Sequence, residues 1–138
     1  MAIGSITVRR MSGFVASPSY QVTLRSDGSA LWHGDMLVDR IGDWIGKFDP
    51  ATFTVLASFV DSVGFFSWLD EYTTLITCQP ADVMVVRRDG KEKSVSQYGY
   101  TAPDGFLQLI GMVELIATQA TWDPVKTRKR RNLSVAKT

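Results

Sequence analysis

The sequence is poor in the side chains that most often carry catalysis or bind metals. It has one cysteine, Cys78, and one histidine, His33. A single cysteine excludes a disulfide within the chain and a cage of several thiolates, and a single histidine excludes a metal site that needs two imidazoles from one chain. The sequence also lacks a Gly-rich phosphate-binding loop and a Gly-x-Ser-x-Gly nucleophile motif. It therefore predicts no cofactor and no metal site.

Long apolar runs are also missing. No window of 18 residues is apolar throughout, so the sequence predicts no membrane-spanning segment. The opening residues, MAIGSITVRR, contain an apolar stretch that is too short for a signal peptide, and the arginines follow it instead of preceding it. We therefore expect a cytoplasmic protein, although a chain trimmed of an export signal would read the same.

Charge is divided unevenly along the chain. Residues 126–138 contain six Lys and Arg and no acid, whereas residues 1–125 contain nine Lys and Arg against fourteen Asp and Glu, a net charge of −5. A basic segment with little to bury is typical of a disordered appendage. We predict a single domain over residues 1–125, followed by a disordered basic tail over residues 126–138.

Six short segments read as strands, and the clearest of them alternate apolar and polar residues, the pattern of a strand with one buried face. Two of the turns between them contain Asp-Gly, at Asp27-Gly28 and Asp89-Gly90, which suits the positive φ of a tight hairpin. The predicted strands are residues 5–10, 20–25, 30–34, 38–47, 83–86 and 92–98.

The period changes to that of a helix in two places. Asp49 can cap a helix that starts at Pro50, and apolar residues follow at helical spacing up to Gly64. A second helix is predicted over residues 104–120, while residues 70–81 read as a loop. The order β-β-β-β-α-β-β-α predicts an α+β domain, in which an antiparallel sheet of about six strands carries two helices packed on one face.

Several short motifs follow one another in a recognisable order: Pro18-Ser19-Tyr20, Asp27-Gly28, Gly42-Asp43-Trp44-Ile45-Gly46, Phe65-Phe66, Asp89-Gly90 and Tyr98-Gly99. Their order and spacing resemble a bacterial domain family of unknown function, found in uncharacterised and often exported proteins. The resemblance covers roughly residues 5–122. It implies a fold and no reaction.

The loop before Tyr20 departs from the pattern of that family. The family's loop usually reads Gly-Cys-x-Gly-x-Cys-Pro-x-Tyr, whereas here Gly13 and Ser17 stand at the cysteine positions and Val15 stands at the second glycine. A later loop that usually reads Thr-Asp-x-Pro is Thr77-Cys78-Gln79-Pro80. The resemblance therefore implies no disulfide, metal or redox role for this loop.

Few residues remain that could carry chemistry. A catalytic Cys78 would need a base, and the only imidazole, His33, lies far upstream on a predicted strand. We expect Cys78 to be buried and inert, because free cysteine is among the most buried residue types, and His33 to lie on the sheet surface. Asp70, Glu71 and Asp82 read as solvated loop acids rather than as a cation site.

Aromatic residues in and beside the predicted loops are the best candidates for contact with a partner, because aromatic residues are enriched at binding surfaces. Tyr98 and Tyr100 would face the same way if the chain between them were extended. The interaction candidates are Phe14, Tyr20, Tyr72, Tyr98 and Tyr100.

The basic tail supplies a second kind of candidate. A run of cations binds nucleic acids and anionic membrane surfaces through the release of counterions. Aromatic residues that would stack on bases are absent nearby, and a solubilising role explains the tail equally well. The nucleic-acid candidates are Arg128, Lys129, Arg130 and Arg131.

These patterns favour a non-enzymatic module that binds a protein partner or a small ligand through the 11–20 loop, the 70–81 loop and the 98–105 turn. The alternatives are a nucleic-acid-associated protein that binds through its tail and a diverged enzyme that uses Cys78. A homo-oligomer is also an expected assembly, because predicted edge strands such as residues 5–10 or 38–46 offer unpaired backbone groups to a second chain.

Overall fold

The computed structural model describes residues 2–13 and 16–125. The interaction candidate Phe14 lies outside the described residues, and so do the nucleic-acid candidates Arg128, Lys129, Arg130 and Arg131. The predictions about these five residues therefore stay predictions. No helix in the described ranges is both long enough and apolar enough to cross a membrane.

The described chain contains eight strands, two α-helices and one short 3₁₀ helix at Phe65–Ser67. In chain order the strands and α-helices are β1 (Ile3–Met11), β2 (Ser19–Arg25), β3 (Ser29–Met36), β4 (Gly42–Lys47), α1 (Pro50–Ser62), β5 (Glu71–Tyr72), β6 (Ala81–Arg88), β7 (Lys91–Tyr98), α2 (Asp104–Gln119) and β8 (Thr121–Pro124).

These eight strands form one sheet in the order β5-β7-β6-β1-β2-β3-β4-β8. Neighbouring strands run antiparallel except β5 and β7, which run parallel. The α+β class is confirmed, whereas the prediction of a six-stranded antiparallel sheet is wrong. The two missed strands are the edges of the sheet, and with two and four residues they are too short to show an alternating pattern.

The strand predicted over residues 38–47 begins only at Gly42. The residues before it form a connection that turns back over the end of β3, and positive φ values at Leu37 (55°) and Gly42 (84°) mark its two ends. Only glycine adopts such values without strain as a rule, so the bend at Leu37 must be held by surrounding contacts.

One face of the sheet forms the core together with both helices. Val22 lies opposite Val8, Val8 lies opposite Met84, and all three side chains are fully buried. Asp49 caps α1 by accepting a hydrogen bond from the Ala51 N–H at 2.9 Å. The helices add apolar residues three or four positions apart, and burial of each contributes about 1.5–3 kcal/mol. These residues are Phe53, Leu56 and Val60 of α1, and Phe106, Leu109, Ile110, Val113, Ile116 and Ala117 of α2.

Candidate functional site

Strand pairing brings four connections to the same end of the sheet. β1, β3 and β7 run towards this end, and β2, β4 and β6 start from it. We name the described parts of these four connections, residues 12–13 with 16–18, 36–41, 73–80 and 99–103, the loop end. The three segments that the sequence assigned to binding therefore lie together.

The connections of the loop end touch one another. The Gln79 N–H donates to the Tyr98 hydroxyl at 3.2 Å, which ties the 73–80 connection to the end of β7. Gly13 packs so closely on the same connection that an added Cβ would lie 2.6 Å from the carbonyl oxygen of Cys78. The close approach at this position leaves room only for glycine.

The loop end exposes an unusual share of apolar surface. Twelve large hydrophobic residues are exposed among the described residues, and half of them lie here. Leu75 is fully exposed, with 100% relative accessibility, and Tyr100 reaches 67%. The six residues are Met36, Leu37, Ile41, Leu75, Ile76 and Tyr100.

Acidic residues flank one connection of the loop end, whereas the opposite end carries both signs of charge, with Asp27, Asp49, Asp89 and Glu92 among its basic residues. Asp35, Asp39 and Asp43 are exposed on or beside the connection between β3 and β4, at the loop end. Most basic residues of the described chain lie at the opposite end, where β2, β4 and β6 finish and β7 starts. They include Arg25, Lys47, Arg87, Arg88 and Lys91.

A cleft of about 510 Å³ opens beside the loop end, between the 36–41 connection and α2. Its aromatic wall is formed by Tyr20 and Trp32, whose rings stack with centroids 4.7 Å apart and planes inclined by 9°. The lining also includes Leu37, Arg40 and Glu114. The exposed lining is slightly more polar than apolar, because Asp39 and Thr118 also contribute to it, and the volume falls within the range of small-molecule sites.

Arg40 is held in this cleft by contacts with β3 and β8. Its carbonyl oxygen accepts a hydrogen bond from Trp32 Nε1 at 2.9 Å and lies directly over Gly34, whose missing side chain makes room for it. Its guanidinium stacks on two rings, 4.6 Å from the centroid of Trp32 and 4.9 Å from that of Trp122. Burial lowers the pKa of Arg40, and its Nε has no hydrogen-bond partner among the described residues.

A row of polar residues crosses four strands on the buried face next to the cleft. Tyr20, Arg10, Asp82 and Gln97 are successive neighbours in the strand register. Arg10 donates to Asp82 at 2.9 Å and to Glu114 of α2 at 3.3 Å, and the Tyr20 hydroxyl also donates to Glu114. Burial alone would lower the pKa of Arg10, but the hydrogen bond and charge of Asp82, together with the charge of Glu114, outweigh it and the pKa is raised, so Arg10 stays charged.

The polar row separates the cleft from a smaller cavity of about 250 Å³ that includes Tyr100 and Ser17 in its lining. Burial, followed by the hydrogen bond to Glu114, raises the pKa of Tyr20. The Tyr20 hydroxyl therefore stays protonated at neutral pH and acts as a donor. The row as a whole fixes the wall of the cleft, because each member is held by the next.

The described tyrosine candidates differ in exposure. Tyr100 is exposed, Tyr72 and Tyr98 are half-buried, and Tyr20 belongs to the core while its edge lines the cleft. Gly99 has a φ of +76°, so the chain between Tyr98 and Tyr100 is not extended. The reason for expecting their side chains to point the same way therefore no longer holds.

Two expectations about single residues are wrong. Cys78 is exposed rather than buried, because it lies at the tip of the 73–80 connection, where its φ is +62°. Asp82 is not a solvated loop acid: it lies on β6 with 1% relative accessibility, paired with Arg10. Asp70 is exposed and forms an ion pair with Lys93 at 2.8 Å. Among the described residues, no group of three or more His, Cys, Asp or Glu side chains is arranged to hold a metal ion.

His33 lies on the exposed face of β3, as the sequence predicted, between two carboxylates. Its Nδ1 is 2.6 Å from Asp43 and its Nε2 is 2.9 Å from Asp35. Both ring nitrogens are thus engaged by acids, and no Cys–His pair forms within the described chain.

The two carboxylates make the titration of His33 predictable. The hydrogen bond to Asp43, with a smaller contribution from Asp35, raises the pKa of His33 above its ordinary value of about 6.5. We expect Asp43→Asn to lower this pKa more than Asp35→Asn does. A proton NMR titration of the single imidazole measures all three values, and an unshifted wild-type pKa would contradict the geometry. Because the folded-state pKa of His33 is raised, protonation of His33 contributes a small stabilisation of the folded protein. This contribution is present below about pH 6.5 and is lost as the pH rises through the folded-state pKa.

The sequence reasoning missed Arg10, Asp82, Glu114 and Arg40. For two of them a signal exists. Arg10 continues the period-two series of Ile6 and Val8, which places a charge on the buried face, where it requires a partner. Glu114 follows Ile110 by four positions in the apolar stripe of α2. No local sequence pattern predicts that Arg40 lies in the cleft, because its position depends on the fold of the whole connection.

A search of curated proteins finds no match. A family model described as "Domain of unknown function (DUF6438)" matches residues 4–117, a range that runs from β1 into the last turn of α2. The match includes seven of the eight strands and all residues of the polar row, which is the extent expected of a shared domain. The chain therefore belongs to the DUF6438 family of domains of unknown function.

Proposed function

We propose that this domain is a non-enzymatic binding module whose loop end holds a protein partner. The observation that carries the proposal is the grouping of exposed apolar side chains on three connections that meet at one end. Leu37, Ile41, Leu75 and Ile76 lie there together with Tyr100. A concentration of exposed apolar side chains at one end of a folded domain is typical of an interaction site.

The charges beside this surface define the chemistry of the partner. Asp35, Asp39 and Asp43 are exposed and flank the apolar residues of the 36–41 connection. The complementary partner has apolar side chains at the centre of its contact surface and Lys or Arg around them. Such an interface associates faster at low ionic strength, so we expect the affinity to fall as salt is added.

The environments of Cys78 and His33 favour binding over catalysis. Cys78 lies exposed at a loop tip, and both nitrogens of His33 are engaged by carboxylates. A thiol nucleophile needs an adjacent base to form the thiolate, and the contacts of His33 are to Asp43 and Asp35 instead.

A pair of matched variants tests the proposal. Leu75→Ser with Ile76→Ser removes apolar surface at the loop end, whereas Val55→Ser with Leu115→Ser removes similar exposed surface from the two helices. Proteins cross-linked to the wild-type domain in cells are identified, purified and titrated against all three forms by calorimetry. We expect the loop-end variant to weaken binding by roughly tenfold or more, because a few central apolar anchors carry most of the energy of an interface.

The control pair should bind like the wild type, since its positions lie away from the loop end. The proposal is overturned if the purified partners bind the loop-end variant as tightly as the wild type. It is equally overturned if none of the recovered proteins binds the purified wild-type domain.

A further inference from the structure

The cleft beside the loop end contains a positive group without a negative partner. The ion pairs found among the described residues do not include Arg40, and Asp39 acts on its charge through space. Its Nε is enclosed and has no hydrogen-bond partner among these residues. We propose that the cleft binds a small molecule with a single carboxylate, which pairs with the outer edge of the Arg40 guanidinium.

The guanidinium is already fixed in a suitable orientation. Trp32 and Trp122 lie 4.6 and 4.9 Å from the guanidinium, and their centroids are only 6.0 Å apart, so both rings pack against one side of the group and leave its opposite side free of rings. A stacked guanidinium presents two parallel donors to a carboxylate, and little rotational freedom is lost when they pair. The Trp32–Arg40 hydrogen bond at 2.9 Å fixes the backbone from which this side chain projects.

The remaining walls define the rest of the ligand. Leu37 and Val38 line the cleft on the side of the loop end, and the stacked pair Tyr20–Trp32 forms the other apolar wall. A volume of about 510 Å³ accommodates a ligand with a ring or a short apolar chain. The ligand that fits is therefore a small organic acid and not an inorganic anion.

Two carboxylates in the same lining restrict the ligand charge. Glu114 pairs with Arg10 and accepts a hydrogen bond from Tyr20, yet its side chain keeps 41% relative accessibility and lines the cleft. Asp39 lines the cleft as well and is exposed. Both would repel a second negative charge, and both accept hydrogen bonds from a hydroxyl or amino group. The site thus selects a monocarboxylate, preferably one with a donor group on its distal side, over a multiply charged anion.

The test uses the full-length chain without any partner protein and four probes. Benzoate and 4-hydroxybenzoate represent the proposed ligand class, benzyl alcohol is a neutral analogue, and phosphate is a multiply charged anion. Each is titrated at millimolar concentrations while the side-chain N–H signals of Arg40, Trp32 and Trp122 are followed by NMR. We expect saturable shifts with both carboxylates, tighter binding of 4-hydroxybenzoate, and much weaker binding of benzyl alcohol and phosphate.

Variants identify the pairing group. Arg40→Gln should weaken benzoate binding by at least about tenfold, because a charge-assisted pair is lost. Arg25→Gln, on an exposed arginine at the far end of the sheet, should change nothing. Thr118→Phe fills the mouth of the cleft from α2 without touching the guanidinium stack and should also block binding, which covers the case in which Arg40→Gln perturbs the fold.

Equal affinity of benzyl alcohol and benzoate overturns the proposal, as does unchanged benzoate affinity in both Arg40→Gln and Thr118→Phe. Tighter binding of phosphate than of benzoate overturns the assignment of a monocarboxylate. The inference is independent of the protein partner: substitution of Leu75 and Ile76 should leave benzoate binding intact, so the two proposals can fail separately.

Discussion

Replacement of Gly34 by alanine should lower the free energy of unfolding by about 2–3 kcal/mol, because the space for a side chain is filled by the backbone of the next connection. An added Cβ would lie 1.8 Å from the carbonyl oxygen of Arg40, and 2.8 Å from Cγ2 of Val38. The carbonyl cannot retreat freely, since Trp32 Nε1 donates to it at 2.9 Å. Either the 36–41 connection shifts and loses this hydrogen bond, or β3 distorts next to Tyr20.

Urea denaturation of the variant gives the change in stability, and the indole N–H signal of Trp32 reports whether the connection has moved. Gly111→Ala is the matched control. Gly111 lies inside α2 with no atom within 4 Å of an added Cβ, so alanine should stabilise the helix by up to about 1 kcal/mol. A Gly34→Ala protein with wild-type stability and an unchanged Trp32 signal would contradict the packing described for Arg40.

Features that depend on a few adjacent residues were predictable from the sequence. Gly28 has a φ of +90°, and Asp89 and Gly90 have φ values of +53° and +79°, which are the conformations that an Asp-Gly hairpin requires. The cap of α1 at Asp49 is local in the same sense. These features are predictable because they form without contacts to distant parts of the chain.

Features that depend on distant contacts were not predictable in the same way. β5 pairs through Glu71 and Tyr72 alone, and the partners of these residues on β7 lie 25 positions further along the chain. Cys78 is exposed because it lies at the tip of the 73–80 connection, although cysteine is usually a buried residue type. The candidate site is of this second kind, since Arg40 and Glu114 come from opposite sides of the cleft and from distant parts of the sequence.

The loop end joins both kinds of feature. The turn-rich composition of three of the four connections indicated which segments face solvent, and the strand register placed them together with the 36–41 connection, which had been predicted as part of a strand. The sequence could not indicate that the 36–41 connection folds inwards, because the required space comes from Gly34 on another element. A glycine inside a strand is a general signal of close approach, and here the approaching group is the carbonyl oxygen of a functional candidate.

Replacement of Asp82 by asparagine should destabilise the fold by about 3 kcal/mol, because a buried carboxylate is removed from a partly buried arginine. Asp82 has 1% relative accessibility and contacts Arg10 at 2.9 Å, while its other oxygen accepts from Gln97 at 2.9 Å. Gln97 in turn accepts from the Ala102 N–H at 3.1 Å, so the change should extend to the 99–103 connection of the loop end. Arg10 keeps its contact with Glu114, which limits the loss.

Asp61→Asn is the matched control for this change. It removes the carboxylate partner of Arg88, at 3.3 Å, from a pair in which the acid is 59% accessible, and it should change the stability by less than about 1 kcal/mol. Urea denaturation of both variants compares a buried ion pair with an exposed one of the same residue types. Equal stabilities for the two variants would show that the polar row does not hold β1 to β6. A loss confined to Asp82→Asn, accompanied by shifted amide signals at Gln97 and Ala102, would show that the row supports both the cleft wall and the loop end.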